Sequence, residues 1–253
     1  MAVYPCFEGK VAVVLGGSAG IGEACAKLFA GQNCKVVVAD VDEENGNRVC
    51  AEIERRGGQA EFIVTDACLP EEVERLAEKA GRIGTVCALV NCVGGFREYK
   101  PVWEIPAAEW ERTVLLNLHT TFFSCREFAK LMMRQGGGAI VNVSSLCART
   151  AQDRTPAHYS CSKAAVEALT RVLAYELGPY GVRVNAVAPG TTVTDRVIRA
   201  RGRTELDNIA ASIPRGRLAT PEEIAGAILF MASSEAVHIT GVSLDVNGGQ
   251  LIV

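Results

Sequence analysis

The stretch "KVAVVLGGSAGIGEACAKLF", residues 10–29, decides the fold. It begins with a Val-rich apolar run at 10–15, passes through a glycine-rich turn and continues with helical spacing over about 20–31. A run that is apolar at nearly every position belongs to a strand covered on both faces, as in a parallel sheet lying between helices. Gly16, Ser18, Gly20, Ile21 and Gly22 therefore lie in the turn that opens the first helix. Glycines at such a turn let backbone amides approach a pyrophosphate, whose charge the helix N-terminus then stabilises.

The same strand-then-helix alternation continues along the chain. Further strands are expected at 35–40, 60–66, 86–91, 139–145, 182–189 and 242–247, with helices at 42–56, 70–81, 107–134, 157–178 and 221–233. The last helix starts "TPEE", where Thr220 can cap, Pro221 fits the first turn and Glu223 can close a capping box. No linker, repeat or low-complexity tract divides the chain. The pattern predicts an α/β fold: one Rossmann-like, doubly wound, parallel seven-stranded sheet with helices on both faces, spanning 1–253. Residues 191–216 are its longest weakly ordered insertion and the expected substrate-binding loop.

Composition narrows the function. The chain has 49% hydrophobic residues, ample for a buried core, and 26 Lys+Arg against 29 Asp+Glu leave a formal charge of −3. Nucleic-acid binding needs a basic face, so no nucleic-acid partner is expected. The start carries no basic segment followed by an apolar one, and no apolar run is long enough to span a bilayer, so a cytoplasmic protein with no membrane partner is expected. The ten cysteines show no Cys-x-x-Cys pair and no Cys/His ligand spacing; they read as small core residues, with no metal site.

The second strand ends at Asp40, eighteen residues after Gly22, where a carboxylate can accept hydrogen bonds from the adenosine ribose hydroxyls. A 2'-phosphate there would meet Asp40, Asp42, Glu43 and Glu44, with Arg48 the one nearby opposing charge, so the cofactor is read as NAD rather than NADP. Hydride transfer to a carbonyl needs a matching proton transfer at oxygen. Tyr159 and Lys163 share a helical face four residues apart, and a cation beside a phenol favours the phenolate.

These residues resemble the short-chain dehydrogenases/reductases over essentially the whole chain. Tyr159-x-x-x-Lys163 is similar to the Y-x-x-x-K pair of that family. "AIVNVSSLC" resembles the strand that delivers its catalytic serine, here Ser145, and "LLNLHTTFF" the helix carrying its catalytic asparagine, here Asn117. The resemblance implies that Ser145 polarises the substrate oxygen and that Asn117 holds a water in a proton relay behind Lys163. Pro189, Gly190 and Thr194, in "VAPGTTVTD", resemble the segment that meets the nicotinamide carboxamide; Asp66 is similar to the residue that meets adenine, and Asn91 to the first asparagine of N-N-A-G. The family also implies a homotetramer joined through 107–134, 157–178 and the C-terminal segment.

The chain departs from the family pattern in places. Leu15 replaces the usual threonine before the glycine turn, and Cys92 and Val93 interrupt N-N-A-G. Ser145 lies fourteen residues before Tyr159, one more than the family spacing, so Ser144 stays an alternative. Phe96 and Trp103 follow the fourth strand, and at least one is a candidate to line the pocket, whereas His158 and Cys161 point away from Tyr159 on the helix.

Three segments are expected to border that pocket: 94–104, 146–158 and 191–217. They hold ten basic residues (Arg97, Lys100, Arg149, Arg154, Arg196, Arg199, Arg201, Arg203, Arg215, Arg217) against six acidic ones (Glu98, Glu104, Asp153, Asp195, Glu205, Asp207). A positive mouth on an acidic body suits an anionic substrate, a carboxylate or a coenzyme A thioester, and Arg196, Arg199 and Arg203 would share a face if "DRVIRARGR" were one helix. The expected activity is NAD-dependent interconversion of a secondary alcohol and a ketone. The alternatives are a 3-oxoacyl thioester reductase and a non-catalytic nucleotide-binding subunit of an assembly.

Overall fold

A computed structural model describes residues 4–151 and 154–252. Seven strands form one parallel sheet: β1 (Val11–Leu15), β2 (Lys35–Asp40), β3 (Gln59–Val64), β4 (Val86–Asn91), β5 (Gly138–Val143), β6 (Val182–Pro189) and β7 (Ser243–Val246). Their spatial order is β3-β2-β1-β4-β5-β6-β7. The order reverses beside β1, so a crevice opens between the carboxyl ends of β1 and β4, the place where ligands sit in such sheets.

Helices α1 (Gly20–Ala30), α2 (Glu43–Arg55) and α9 (Pro221–Ala232) cover one face; α3 (Pro70–Ile83), α5 (Thr120–Gln135) and α6 (Ala157–Leu177) cover the other. The pleat divides each strand between the two layers. Ala12 and Val14 join the core under α1 and α9, while Val11, Val13 and Leu15 join the core under α5 and α6. This two-sided burial is the reason β1 reads as a continuous apolar run. Helix α9 carries the capping box expected from "TPEE": Thr220 Oγ1 accepts from the Glu223 amide and the Glu223 carboxylate accepts from the Thr220 amide.

Two expectations need correction. The helix expected at 107–134 is α4 (Ala107–Val114), then a wide π turn at Leu115–His119, then α5. The Thr120 amide reaches back five residues to the Leu115 carbonyl, and the extra residue in that turn carries Asn117 into the protein, where it is fully buried. The segment 191–216 is not a weakly ordered loop. It folds as α7 (Asp195–Arg201), capped by Thr194 Oγ1, and α8 (Arg203–Ser212), seated on a small cluster of Leu206, Ile213 and Leu218. Gly202, at φ +72°, separates the two helices, so Arg196 and Arg199 lie on one and Arg203 on the other rather than along a shared face.

Candidate active site

The glycine turn is built by close approach. A Cβ on Gly22 would fall 1.9 Å from the Gly16 carbonyl oxygen, so only glycine lets the start of α1 dock on the turn. The Gly16 and Gly17 amides both donate to the Ala39 carbonyl, which ties the turn to the end of β2 by backbone bonds; Leu15 meanwhile is buried in the core. Ala19, the residue before α1, offers no side-chain cap to the first amides of the helix. Thr194 closes from the other side: its Cγ2 lies 3.2 Å from where a Cβ on Gly20 would stand. A glycine-rich turn, an uncapped helix start and an acid at the end of β2 together fit a dinucleotide.

At the end of β2, Asp40 Oδ2 accepts from the Ser18 amide (3.1 Å) and hydroxyl (2.6 Å), and Oδ1 accepts from the Val41 (2.8 Å) and Asp42 (3.2 Å) amides. Arg48 is held by two carboxylates, Glu23 at 2.8 Å and Glu52 at 2.9 Å, and Lys27 pairs with the same two. Arg48, the first basic residue after Asp40 in sequence, is thus already neutralised. Asp66 Oδ1 accepts from the Cys68 amide, which fixes the bend after β3. Asn91 turns into the core: its Nδ2 donates to Asn142 Oδ1 (2.8 Å) and its Oδ1 accepts from Ser124 (2.7 Å). Only its backbone is left to reach a cofactor.

The second cluster forms beyond the ends of β4 and β5. A Cβ placed on Gly94 would lie 2.6 Å from Asn117 Oδ1 and 3.0 Å from Lys163 Nζ, so both side chains converge on this residue. Asn117 clamps the backbone of Gly95: Oδ1 accepts from its amide and Nδ2 donates to its carbonyl, each at 2.8 Å, while Nδ2 also donates to Thr113 O. Its side chain is thereby occupied, and a relay water at Asn117 would have to bond the backbone carbonyl. Lys163 Nζ donates to the Val143 carbonyl at 2.7 Å and lies 5.9 Å from the centre of the Tyr159 ring. The Phe96 ring packs on Tyr159 with centres 5.0 Å apart, so Phe96 borders the site. Trp103 is 81% exposed.

The end of β5 turns the two serines to different neighbours. Ser144 Oγ points into α6, donating to Glu167 (3.1 Å) and the Lys163 carbonyl (3.3 Å), whereas the Ser145 hydroxyl lies within hydrogen-bonding reach of the Tyr159 side chain. His158 is buried and faces α4, with Nε2 3.5 Å from Glu109; Cys161 is exposed and faces away.

Charge at this cluster differs from the sequence expectation. Burial pushes the Tyr159 phenol up, aided by the neighbouring Cys147; Ser145 and Arg196 pull it down without prevailing. Lys163 does not lower it here, because its ammonium lies against the ring and is tied to Val143 rather than to the phenol oxygen. Burial also pushes Lys163 down to about 8. Of the ten basic residues counted around the pocket, Lys100, Arg149, Arg154, Arg201 and Arg217 are ion-paired within the chain. Asp153, counted among the acids, lies outside the described residues. Sequence reasoning named Arg196 only beside Arg199 and Arg203; what it could not show is that the Arg196 guanidinium crosses from α7 to donate to the Gly94 carbonyl at 2.9 Å.

The fold and this geometry define a dinucleotide-binding α/β protein with a Tyr–Lys pair at the cofactor crevice. A family model described as enoyl-(acyl carrier protein) reductase matches residues 16–250. The chain is 35% identical to D-threitol dehydrogenase of Mycolicibacterium smegmatis (97% of this chain, 94% of the relative). It is 35% identical to 7alpha-hydroxysteroid dehydrogenase of Escherichia coli (96% and 94%). A solved structure of 7alpha-hydroxysteroid dehydrogenase, complexed with NADH and 7-oxo glycochenodeoxycholic acid, superposes with a TM-score of 0.90 at 34% identity, covering 96% of this chain and 94% of that one. The chain belongs to the short-chain dehydrogenase/reductase family, oxidoreductases acting on small-molecule secondary alcohols and ketones with a nicotinamide cofactor. Among the described residues no helix is long and apolar enough to cross a membrane.

Proposed function

We propose that this chain is an NAD(H)-dependent alcohol dehydrogenase/ketoreductase whose chemistry is carried by Tyr159, Lys163, Ser145 and Asn117. The reading rests on one observation above all: Lys163 and Asn117 converge on Gly94, with Tyr159 and Ser145 beside them, at the mouth of the glycine-turn crevice. When bound, the cofactor supplies or accepts the hydride.

The turn at Gly16, Ser18, Gly20, Ile21 and Gly22 holds its diphosphate, Asp40 its adenosine ribose and Asp66 its adenine side. Pro189, Gly190 and Thr194 face its nicotinamide end. A 2'-phosphate would meet the Asp40 carboxylate with no free cation to offset it, since Glu23 and Glu52 already hold Arg48. Tyr159 moves the proton at the substrate oxygen, and Ser145 donates a hydrogen bond to that same oxygen. Lys163, buried beside the ring, would hold the nicotinamide ribose, and its ammonium, freed from Val143, would favour the phenolate. Asn117 keeps Gly95 in place under the reacting atoms. The segment 191–216 covers the substrate, which we read as anionic.

The test is a panel of ketones with NADH or NADPH and of secondary alcohols with NAD or NADP. Turnover with clear NAD(H) preference is expected; NADPH preference refutes the cofactor assignment. Absence of turnover across oxo acids, neutral ketones and 3-oxoacyl thioesters, with NADH still bound, would favour a non-catalytic subunit.

A further inference from the structure

We propose that Arg196 is the specificity-determining residue of this site and that it binds the carboxylate of a short oxo or hydroxy acid. The proposal rests on the oxidoreductase reading above and narrows its substrate class.

Geometry carries it. The Arg196 head lies so close to Gly95 that a Cβ there would stand 1.9 Å from Nη2, 2.1 Å from Nη1 and 2.3 Å from Cζ. The guanidinium thus fills the space a side chain at 95 would take, and it is admitted because residue 95 is glycine. Among the described residues it donates to a neutral carbonyl, Gly94 O, and pairs with no carboxylate. Its neighbours on the same segment contrast with it: Arg201 and Arg154 share Glu205, and Arg217 is bidentate on Glu223. A guanidinium has five N–H donors in a planar fork matched to a carboxylate, and such charge-assisted pairs are about twice as strong as bonds to a neutral acceptor. A carboxylate entering the crevice would therefore displace the carbonyl contact.

Position gives the size of the ligand. Gly94 presents its carbonyl to Arg196 and its α-carbon to Lys163 and Asn117, so anion site and reaction site are one residue apart. Arg196 also acts on both reactive groups, pulling the Tyr159 phenol and the Lys163 ammonium downward. That spacing suits a carboxylate a few bonds from the reacting carbon. It does not suit a coenzyme A thioester, whose phosphates lie far from the carbonyl.

The experiment titrates the protein–NADH complex, followed by NADH fluorescence at low ionic strength, with 2-, 3- and 4-oxo carboxylic acids and their methyl esters. At least one acid should bind about tenfold or more tighter than its ester, with the gap shrinking in salt. Arg196→Gln should remove the gap and Arg196→Lys should restore part of it, since lysine keeps charge without the fork. Acids binding no better than esters, including binding of neither, overturns the proposal. So does an Arg196→Gln loss that is equal for acid and ester, or that falls on NADH affinity itself, which would assign the guanidinium to the cofactor phosphates. A coenzyme A thioester bound independently of Arg196 and preferred to every acid also overturns it. These failures differ from failure of the oxidoreductase reading, which would show as no turnover of any ketone or alcohol, neutral ones included, by protein that still binds NADH.

Discussion

The two ends of the crevice handle charge in opposite ways. Around Asp40, where adenosine is proposed to sit, the cations are neutralised: Asp40 accepts four hydrogen bonds, and Lys27, Glu23, Arg48 and Glu52 close a four-member ion-pair network. Lys27 and Arg48 hold the Glu52 carboxyl down at about 2. At the reaction end the cations stand without carboxylate partners among the described residues; Lys163 and Arg196 each donate to a backbone carbonyl. A neutralised end recognises by shape and hydrogen bonding, and an end with unspent cations recognises charge. The first suits one invariant ligand part, the second a part that reacts.

The strongest way to break this contrast is Tyr159→Phe. It should lower kcat by about 100-fold or more, the scale of a lost general acid/base, while NADH titration stays near wild type. Turnover equal to wild type would remove Tyr159 from the chemistry.

Lys163 offers a test without substrate. Its pKa is about 8 in the fold against an ordinary value of 10.5, so between those pH values the unfolded chain binds more protons than the folded one. Its contribution to stability therefore rises as pH climbs through that window, by up to about 1.4 kcal/mol per pH unit, and is lost as pH falls through 8. Lys163→Met should lack that rise when urea unfolding of the ligand-free protein is compared across the window. Parallel profiles would mean the ammonium is better solvated than its burial implies.

Asp40→Ser probes the other end and should narrow the NAD-over-NADP preference in kcat/KM by about tenfold. An unchanged ratio would move the discrimination elsewhere. A smaller effect, about threefold, is expected from Glu23→Gln with Glu52→Gln: freeing Arg48 should improve NADPH binding while leaving Tyr159 chemistry alone. No gain would show that Arg48 does not reach the 2'-position.

The sheet was legible because period and punctuation are local properties. Val-rich runs mark strands buried on both faces, and glycines between strand and helix mark the crevice. Strand ends fall within two residues of expectation throughout. The Tyr159–Lys163 pair was equally legible, since four residues of helix fix a shared face.

What needed the tertiary structure were the features set by contacts distant in sequence. Ser145 rather than Ser144 faces Tyr159 because the end of β5 fixes its register against β6 and α6. The π turn that delivers Asn117 forms where its side chain finds Gly95, twenty-two residues away. The count of ten basic residues around the pocket overstated its charge, because five pair with acids that the chain brings to them. Arg196 was one arginine among several by sequence; its reach to Gly94, 102 residues away, distinguishes it. Periodicity thus specified the elements, since each depends on neighbours within a few residues. Which charges remain unpaired depends on every element packed around them, and only the folded chain decides that.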